Sequence, residues 1–307
     1  MLRKMLVPLD GSALAEQVLS PALALARAAR AEVVLLRSII PVYAGMPNAH
    51  GEYSWMWPDD AREDGRREAS EYLEMIQLAH QEASFNLRVL VQEGDAARMI
   101  VDSAYEEDAD VIIMPAQDAK GAGTETLDGV TEQVLRRAPC PVLLIHSDRP
   151  IARVLITLDG SDLAEHALEP GLELAVTLGA KVTLLRVVEP TIIGVEEATL
   201  QQWRSSPSGH RMRTYLHESS AAYLNEVVLR YGLGTSGMQT AVIDGPAVDG
   251  ILDFSRRHEI DLIAMCTHGY TGFRGWTYGS VTANVICGSD CSMLIVRPPA
   301  YELEGRV

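Results

Sequence analysis

Cysteine is scarce in this chain, with four residues in 307, at positions 140, 266, 287 and 291. That is too few for the disulfide framework of a small secreted domain, so they read as reduced, half-buried thiols. Cys287 and Cys291 are spaced to share a helix end, but no His or acidic pair stands near them at metal-ligand spacing, which argues against zinc. Long apolar runs are missing too. Val33 to Leu36 and Val142 to Ile145 fall far short of the roughly 20 residues that a bilayer span requires. The chain also enters a strand-like segment at once, without a signal-peptide pattern, so a cytoplasmic protein with no membrane partner is the expectation. Basic charge is in deficit, 26 Lys and Arg against 42 Asp and Glu, for a formal net charge of -16. Nucleic-acid binding relies on a basic face, and none is offered. A Walker Gly-Lys-Ser/Thr is absent as well, which leaves a P-loop kinase or ATPase unsupported.

What is there is a globular mixture, 47% hydrophobic and 22% charged, long enough for two cores. The chain repeats itself. MLVPLDGSALAE at 5–16 returns as VLITLDGSDLAE at 154–165, an offset of 159 − 10 = 149. AEVVLLRSIIP from Ala31 keeps that offset to AKVTLLRVVEP from Ala180, and QEGDAARMI from Gln92 follows the pattern of VIDGPAVDGI from Val242. Later, ADVIIMP (109–115) faces IDLIAMC (260–266) and PCPVLLI (139–145) faces DCSMLIV (290–296), now at 266 − 115 = 151. The drift is loop length, and the junction falls near Arg149 to Ile151, giving domains 1–149 and 150–307.

Each half alternates short β-branched runs with longer amphipathic stretches, the signature of βαβ units around a parallel sheet. The second half predicts strands at Arg153–Leu158, Lys181–Val188, Met238–Ile243, Leu262–Met265 and Met293–Val296. Helices are predicted at Asp162–Leu178, Arg211–Tyr231, Ala247–Arg257 and Ser280–Cys287, with Ser161 as an N-cap and Ser12 as its counterpart. Long irregular stretches, Pro41–Asp60 and Pro190–Gly209, follow the second strand in each half. They carry Tyr53, Trp55, Trp57 and Trp203, which suit either a cover over a ligand or ordinary packing.

In a doubly wound sheet of strand order 3-2-1-4-5, a ligand crevice opens between the carboxyl ends of strands 1 and 4. In the second half these ends read Thr157-Leu158-Asp159-Gly160 and Met265-Cys266-Thr267-His268-Gly269. Glycines at 269, 272, 275 and 279 then lead to Ser280 at a helix start, where amides and the helix dipole favour an anion.

The segment 262–285, LIAMCTHGYTGFRGWTYGSVTANV, resembles the nucleotide loop of ATP-binding universal stress proteins, in which Gly-x-x-Gly, nine residues and Gly-Ser/Thr wrap ribose and phosphates. Gly269, nine residues, Gly279 and Ser280 keep that spacing, while the opening glycine falls on Cys266. The resemblance extends over both halves and implies a tandem α/β protein. It assigns Thr157, Asp159 and Val187 to the adenosine end and Gly269, Gly279, Ser280 and Val281 to ribose and phosphate, with Met265 also among the nucleotide-binding residues. ATP is the implied ligand, with Mg²⁺ as its accompanying ion.

Aligned at 151, the first half has Pro115, Asp118, Asp128 and Gly129 where the second has Cys266, Gly269, Gly279 and Ser280. This marks its loop as degenerate, although Pro8 and Asp10 keep an adenosine end. The resemblance also implies pairing of the halves through their last strands, Val142–Ile145 and Met293–Val296, with a homodimer of whole chains as a further possibility. A lone His268 beside a glycine turn and an Arg274 in a loop are weak grounds for catalysis. The expected function is a stress-response module that binds ATP in its second domain. The alternatives are a scaffold that binds no nucleotide and a slow ATP hydrolase.

Overall fold

The computed structural model describes residues 2–40, 44–47, 53–56, 59–80, 85–116, 129–189, 205–231, 237–267 and 280–299. Its contacts divide the chain into two units, Met1–Arg149 and Pro150–Val307.

The first unit runs β1 (Lys4–Pro8), α1 (Ala13–Glu16), α2 (Leu19–Ala29), β2 (Glu32–Ile39), β3 (Ala44–Pro47), β4 (Tyr53–Met56), α3 (Asp59–Ala79), β5 (Leu87–Glu93), α4 (Ala96–Glu106), β6 (Val111–Pro115), α5 (Gly129–Arg137) and β7 (Val142–Ile145). The second runs β8 (Arg153–Thr157), α6 (Asp162–Glu165), α7 (Leu168–Leu178), β9 (Lys181–Val188), α8 (Pro207–Tyr231), β10 (Gln239–Asp244), α9 (Ala247–Arg257), β11 (Leu262–Cys266), α10 (Ser280–Gly288) and β12 (Ser292–Val296).

Within each unit five parallel strands take the expected order 3-2-1-4-5, as β5-β2-β1-β6-β7 and β10-β9-β8-β11-β12. The central strands read as continuous apolar runs because both faces are covered. Val154, Leu155, Ile156, Ile263 and Ala264 have no exposed surface. The starts of the first and fourth strands are tied by one carboxylate in each unit. Asp110 Oδ2 accepts the N–H groups of Arg3 and Lys4 at 2.6 and 2.8 Å, and Asp261 Oδ2 those of Ala152 and Arg153 at 2.9 and 2.8 Å.

Two expectations need correction. The predicted helix Asp162–Leu178 is two helices. Pro170 has no N–H to give to the carbonyl four residues back, so the ladder breaks at His166 and restarts with Pro170 inside the first turn of α7. Pro21 does the same between α1 and α2. The stretch Pro41–Asp60 is also not wholly irregular, because β3 and β4 pair antiparallel within it, with Gly45 opposite Trp55. Trp57 and Trp203 lie outside the described residues.

Candidate functional site

The first strand of each unit ends in the sequence Leu-Asp-Gly-Ser, and its chemistry fixes a turn. Asp159 Oδ1 accepts from the Ser161 N–H at 2.9 Å and its hydroxyl at 2.6 Å, while Ser161 Oγ caps α6 by accepting from Ala164 N–H at 3.2 Å. In the first unit Asp10 takes the Ser12 N–H at 2.8 Å and Ser12 caps α1 through Ala15 N–H at 3.1 Å. Burial pushes the Asp10 carboxyl up, but the Ser12 hydrogen bonds and the nearby Arg37 guanidinium outweigh it, so the group is held below the usual carboxylate range.

Behind each turn stands a bracket that the repeated motifs by themselves do not show. Gly160 has φ +86°, and a Cβ there would lie 2.8 Å from the Arg186 guanidinium. Arg186 in turn lies over the Tyr223 ring at 5.2 Å, and Tyr223 donates to Glu165, which also accepts from Arg230 at 2.7 Å. The first unit repeats it with Gly11, Arg37 over Tyr72 at 4.7 Å, and Glu16. The signal was available in the sequence as Arg and Glu at the same 149 offset.

On the other face of the sheet, at the carboxyl ends of β8, β9 and β11, lies a cavity of about 120 Å³. Six of the sequence-assigned residues line it: Thr157, Asp159, Val187, Met265, Ser280 and Val281. Gly269 and Gly279, with His268 and Arg274, lie outside the described residues. Sequence reasoning missed Leu185, Ala247, Ile251 and Thr282. The period of two in β9 puts Leu185 on the face of Val187, and the helical i, i+4 spacing puts Ala247 beside Ile251, so both rows were readable. Gly250 lets α9 press on β9, since a Cβ there would stand 3.1 Å from Val187. Thr282 Oγ1 donates to the Cys266 carbonyl at 2.8 Å and pins the start of α10 to the end of β11.

A second cavity, of about 150 Å³, opens at the matching ends of the first unit. Twelve residues around the second-unit cavity have counterparts around this one at offsets 149 or 151, and nine of the twelve are identical. The exchanges are Pro8 for Thr157, Ser38 for Val187 and Pro115 for Cys266. Pro8 has a visible effect on the sheet. β8 pairs with β11 as far as Ile156 opposite Ala264, whereas β1 pairs with β6 only as far as Leu6 opposite Ile112. The next ladder bond needs an N–H that Pro8 lacks, so the β1–β6 pairing ends a residue earlier than the β8–β11 pairing.

Among the described residues no three His, Cys, Asp or Glu cluster as a metal site, and no helix is long and apolar enough to cross a membrane. None of the four cysteines is in a disulfide among the described residues; Cys266 is buried at the cavity wall, and burial pushes Cys140 up to about 12.

Comparison with known proteins gives both units the same family. The model of the universal stress protein family matches residues 1–146 and again 150–297. A universal stress protein of Methanocaldococcus jannaschii is 27% identical over 151 residues, covering 49% of this chain and 84% of that protein. One from Synechocystis is 28% identical over 151 residues, covering 46% of this chain and 96% of its own length. Among solved structures, a universal stress protein from Archaeoglobus fulgidus superposes with a TM-score of 0.68 at 19% identity, over 97% of this chain and 99% of that one. At these identities the structural likeness speaks for the fold.

Proposed function

Since the chain belongs to the universal stress protein family, we propose that it is a cytoplasmic stress-response regulator whose second unit binds an adenine nucleotide, ATP, in the cavity between β8, β9 and β11. The observation that carries this reading is convergence. Residues from four separate segments, Thr157 and Asp159, Val187, Met265, and Ser280 with Val281, all line one cavity. That cavity has the chemistry of a nucleoside site, with apolar walls for a flat ring, a carboxylate suited to ribose hydroxyls, and hydroxyls at one end. Ser280 opens α10, whose nine residues give a dipole with its positive end toward the cavity. The sequence between β11 and α10, with Gly269, nine residues and Gly279, supplies the glycines that let amides reach phosphate oxygens.

Binding without efficient turnover is the preferred form. In such a site phosphate is held by backbone amides, with Mg²⁺ offsetting the charge that ATP brings to an acidic chain. Affinity should then change little between low and physiological salt, whereas a steep fall would implicate side-chain cations such as Arg274.

Mass spectrometry of small molecules released from freshly purified protein tests the ligand directly, and adenine nucleotide is the expected find. Calorimetric titration should give one ATP per chain. Gly279→Asp, which copies the residue of the first unit, should abolish it by placing negative charge against phosphate. Two equivalent ATP sites, or full binding by that variant, would overturn the assignment to the second unit. A protein that neither retains nor binds nucleotide would instead be the scaffold. Steady phosphate release that a site substitution stops would make it the hydrolase.

A further inference from the structure

The long helix after the second strand is equivalent in the two units, α3 in the first and α8 in the second, but the two differ in the face turned to water. Their inner faces match, with Leu73 and Ile76 buried in α3 and Leu224 and Val227 buried in α8 at the 151 offset. Stepping at the helical repeat of about 3.6 residues, the outer stripe of α8 runs Arg211, Tyr215, Ser219, Ala222, Glu226 and Leu229, every one of them exposed. Tyr215 and Leu229 expose 66% and 81% of their surface. From Tyr215 onward the same positions of α3 are Asp64, Glu68, Glu71, Met75 and Leu78, also exposed. A surface helix is expected to turn a charged or polar face to water, as α3 does over its acidic turns. With Tyr215, Ser219 and Ala222 there, the middle of the α8 stripe carries no charge in a chain of net charge -16, which marks a face that packs on something.

The stripe is complementary to itself when reversed. Arg211 and Glu226 lie equally far from the bond between Glu218 and Ser219, as do Tyr215 and Ala222, and Ser208 and Leu229. We propose that α8 is a self-association face, packing antiparallel on α8 of a second copy of this chain about a two-fold axis at that bond. Such an interface is isologous, so each contact occurs twice. Arg211 of each copy meets Glu226 of the other as an ion pair, while Tyr215 meets Ala222 and Leu229 meets Ser208, a large side chain against a small one in each case. Within its own helix Arg211 gives one N–H to Ser208 Oγ at 3.1 Å, and Glu226 Oε1 accepts from Arg230 at 3.1 Å, which leaves donors on the one and an acceptor oxygen on the other for the second copy. The same register on α3 would set Asp64 against Glu71 twice, a like-charge contact that excludes that helix. On α8 the two Glu218 side chains flank the axis at the edge of the stripe and oppose the pairing. With one helix face from each copy, the dimer is therefore expected at roughly micromolar strength.

Sedimentation equilibrium of the full chain tests this. The mass should rise from one chain to two as concentration passes through the micromolar range. Arg211→Glu and Glu226→Arg each set like charges across the interface and should weaken association by about tenfold or more. Both sites are exposed, so the melting temperatures of these variants should stay near that of the wild type. The double variant Arg211→Glu/Glu226→Arg reverses both members of each pair and should associate as the wild type does. A chain that stays monomeric at every concentration overturns the proposal, and so does a dimer whose strength neither single reversal changes, since another face would then hold it. Single reversals that weaken the dimer without rescue by the double variant would overturn the pairing of Arg211 with Glu226, and with it this register of the helices.

Discussion

The phenol of Tyr223 donates to Oε1 of Glu165 across 3.0 Å, joining the long helix α8 to the short helix α6 that follows the Asp159 turn. Burial raises the Tyr223 hydroxyl above its ordinary value, and the Glu165 hydrogen bond and charge raise it further. Tyr72, paired with Glu16, is raised in the same way. The stability consequence has a definite sign. A folded-state value above the unfolded value gives stabilisation that is complete below about pH 10 and is lost as pH rises through the folded value.

Alkaline unfolding should therefore be steeper in the wild type than in Tyr72→Phe/Tyr223→Phe, followed by urea denaturation at pH 8 and at about pH 10.5. At pH 8 the double variant should be less stable by about 1 kcal/mol for each hydrogen bond removed. Parallel pH dependence in the two proteins would disprove the linkage.

The turn in front of this bracket is sterically closed. Gly160→Ala places a Cβ at φ +86° against the Arg186 guanidinium, which the Tyr223 ring backs. The expected loss is about 1–2 kcal/mol from the left-handed conformation, with the contact adding to it. Gly160→Ala combined with Arg186→Ala relieves the contact but not the backbone strain. The two substitutions should thus combine to less than the sum of their separate effects in denaturant titrations.

One helix end differs between the units in a way that predicts a gain. α7 ends on Gly179 at φ 66°, but α2 ends on Arg30 at φ 53°, an exposed residue in the conformation that glycine adopts most easily. Arg30→Gly should raise the stability of the first unit by up to about 1 kcal/mol, seen as a higher melting temperature.

Thr282 is expected to matter more for the site than its position inside α10 suggests. Thr282→Val keeps the shape but withdraws the donor from the buried Cys266 carbonyl. The cost should be about 1–3 kcal/mol in unfolding experiments. ATP affinity by calorimetry should fall as well, since this bond locates the start of α10 relative to β11. Unchanged affinity alongside lowered stability would confine Thr282 to a packing role.

The fold was legible in the sequence because it is written twice. The 149 and 151 offsets, the β-branched runs and the Leu-Asp-Gly-Ser turns are local or repeated features, and β9 and α9 stand at the predicted residues, Lys181–Val188 and Ala247–Arg257. The break before Pro170 was also local and could have been read, since a missing N–H needs no tertiary context. That Thr157, Asp159, Val187 and Met265 line one cavity was likewise readable from strand ends that the strand order brings together.

What only the tertiary structure decided is which residues meet across elements. Arg186, Tyr223 and Glu165 come from a strand and two helices, and no pattern within any one of them announces a stack of cation, ring and carboxylate. The two crevices differ for a similar reason. Pro8 reads locally as the end of a strand, but its effect depends on which neighbour its nitrogen faces. The pairing of β1 with β6 sets that direction, and with it the β1–β6 ladder ends a residue earlier than the β8–β11 ladder.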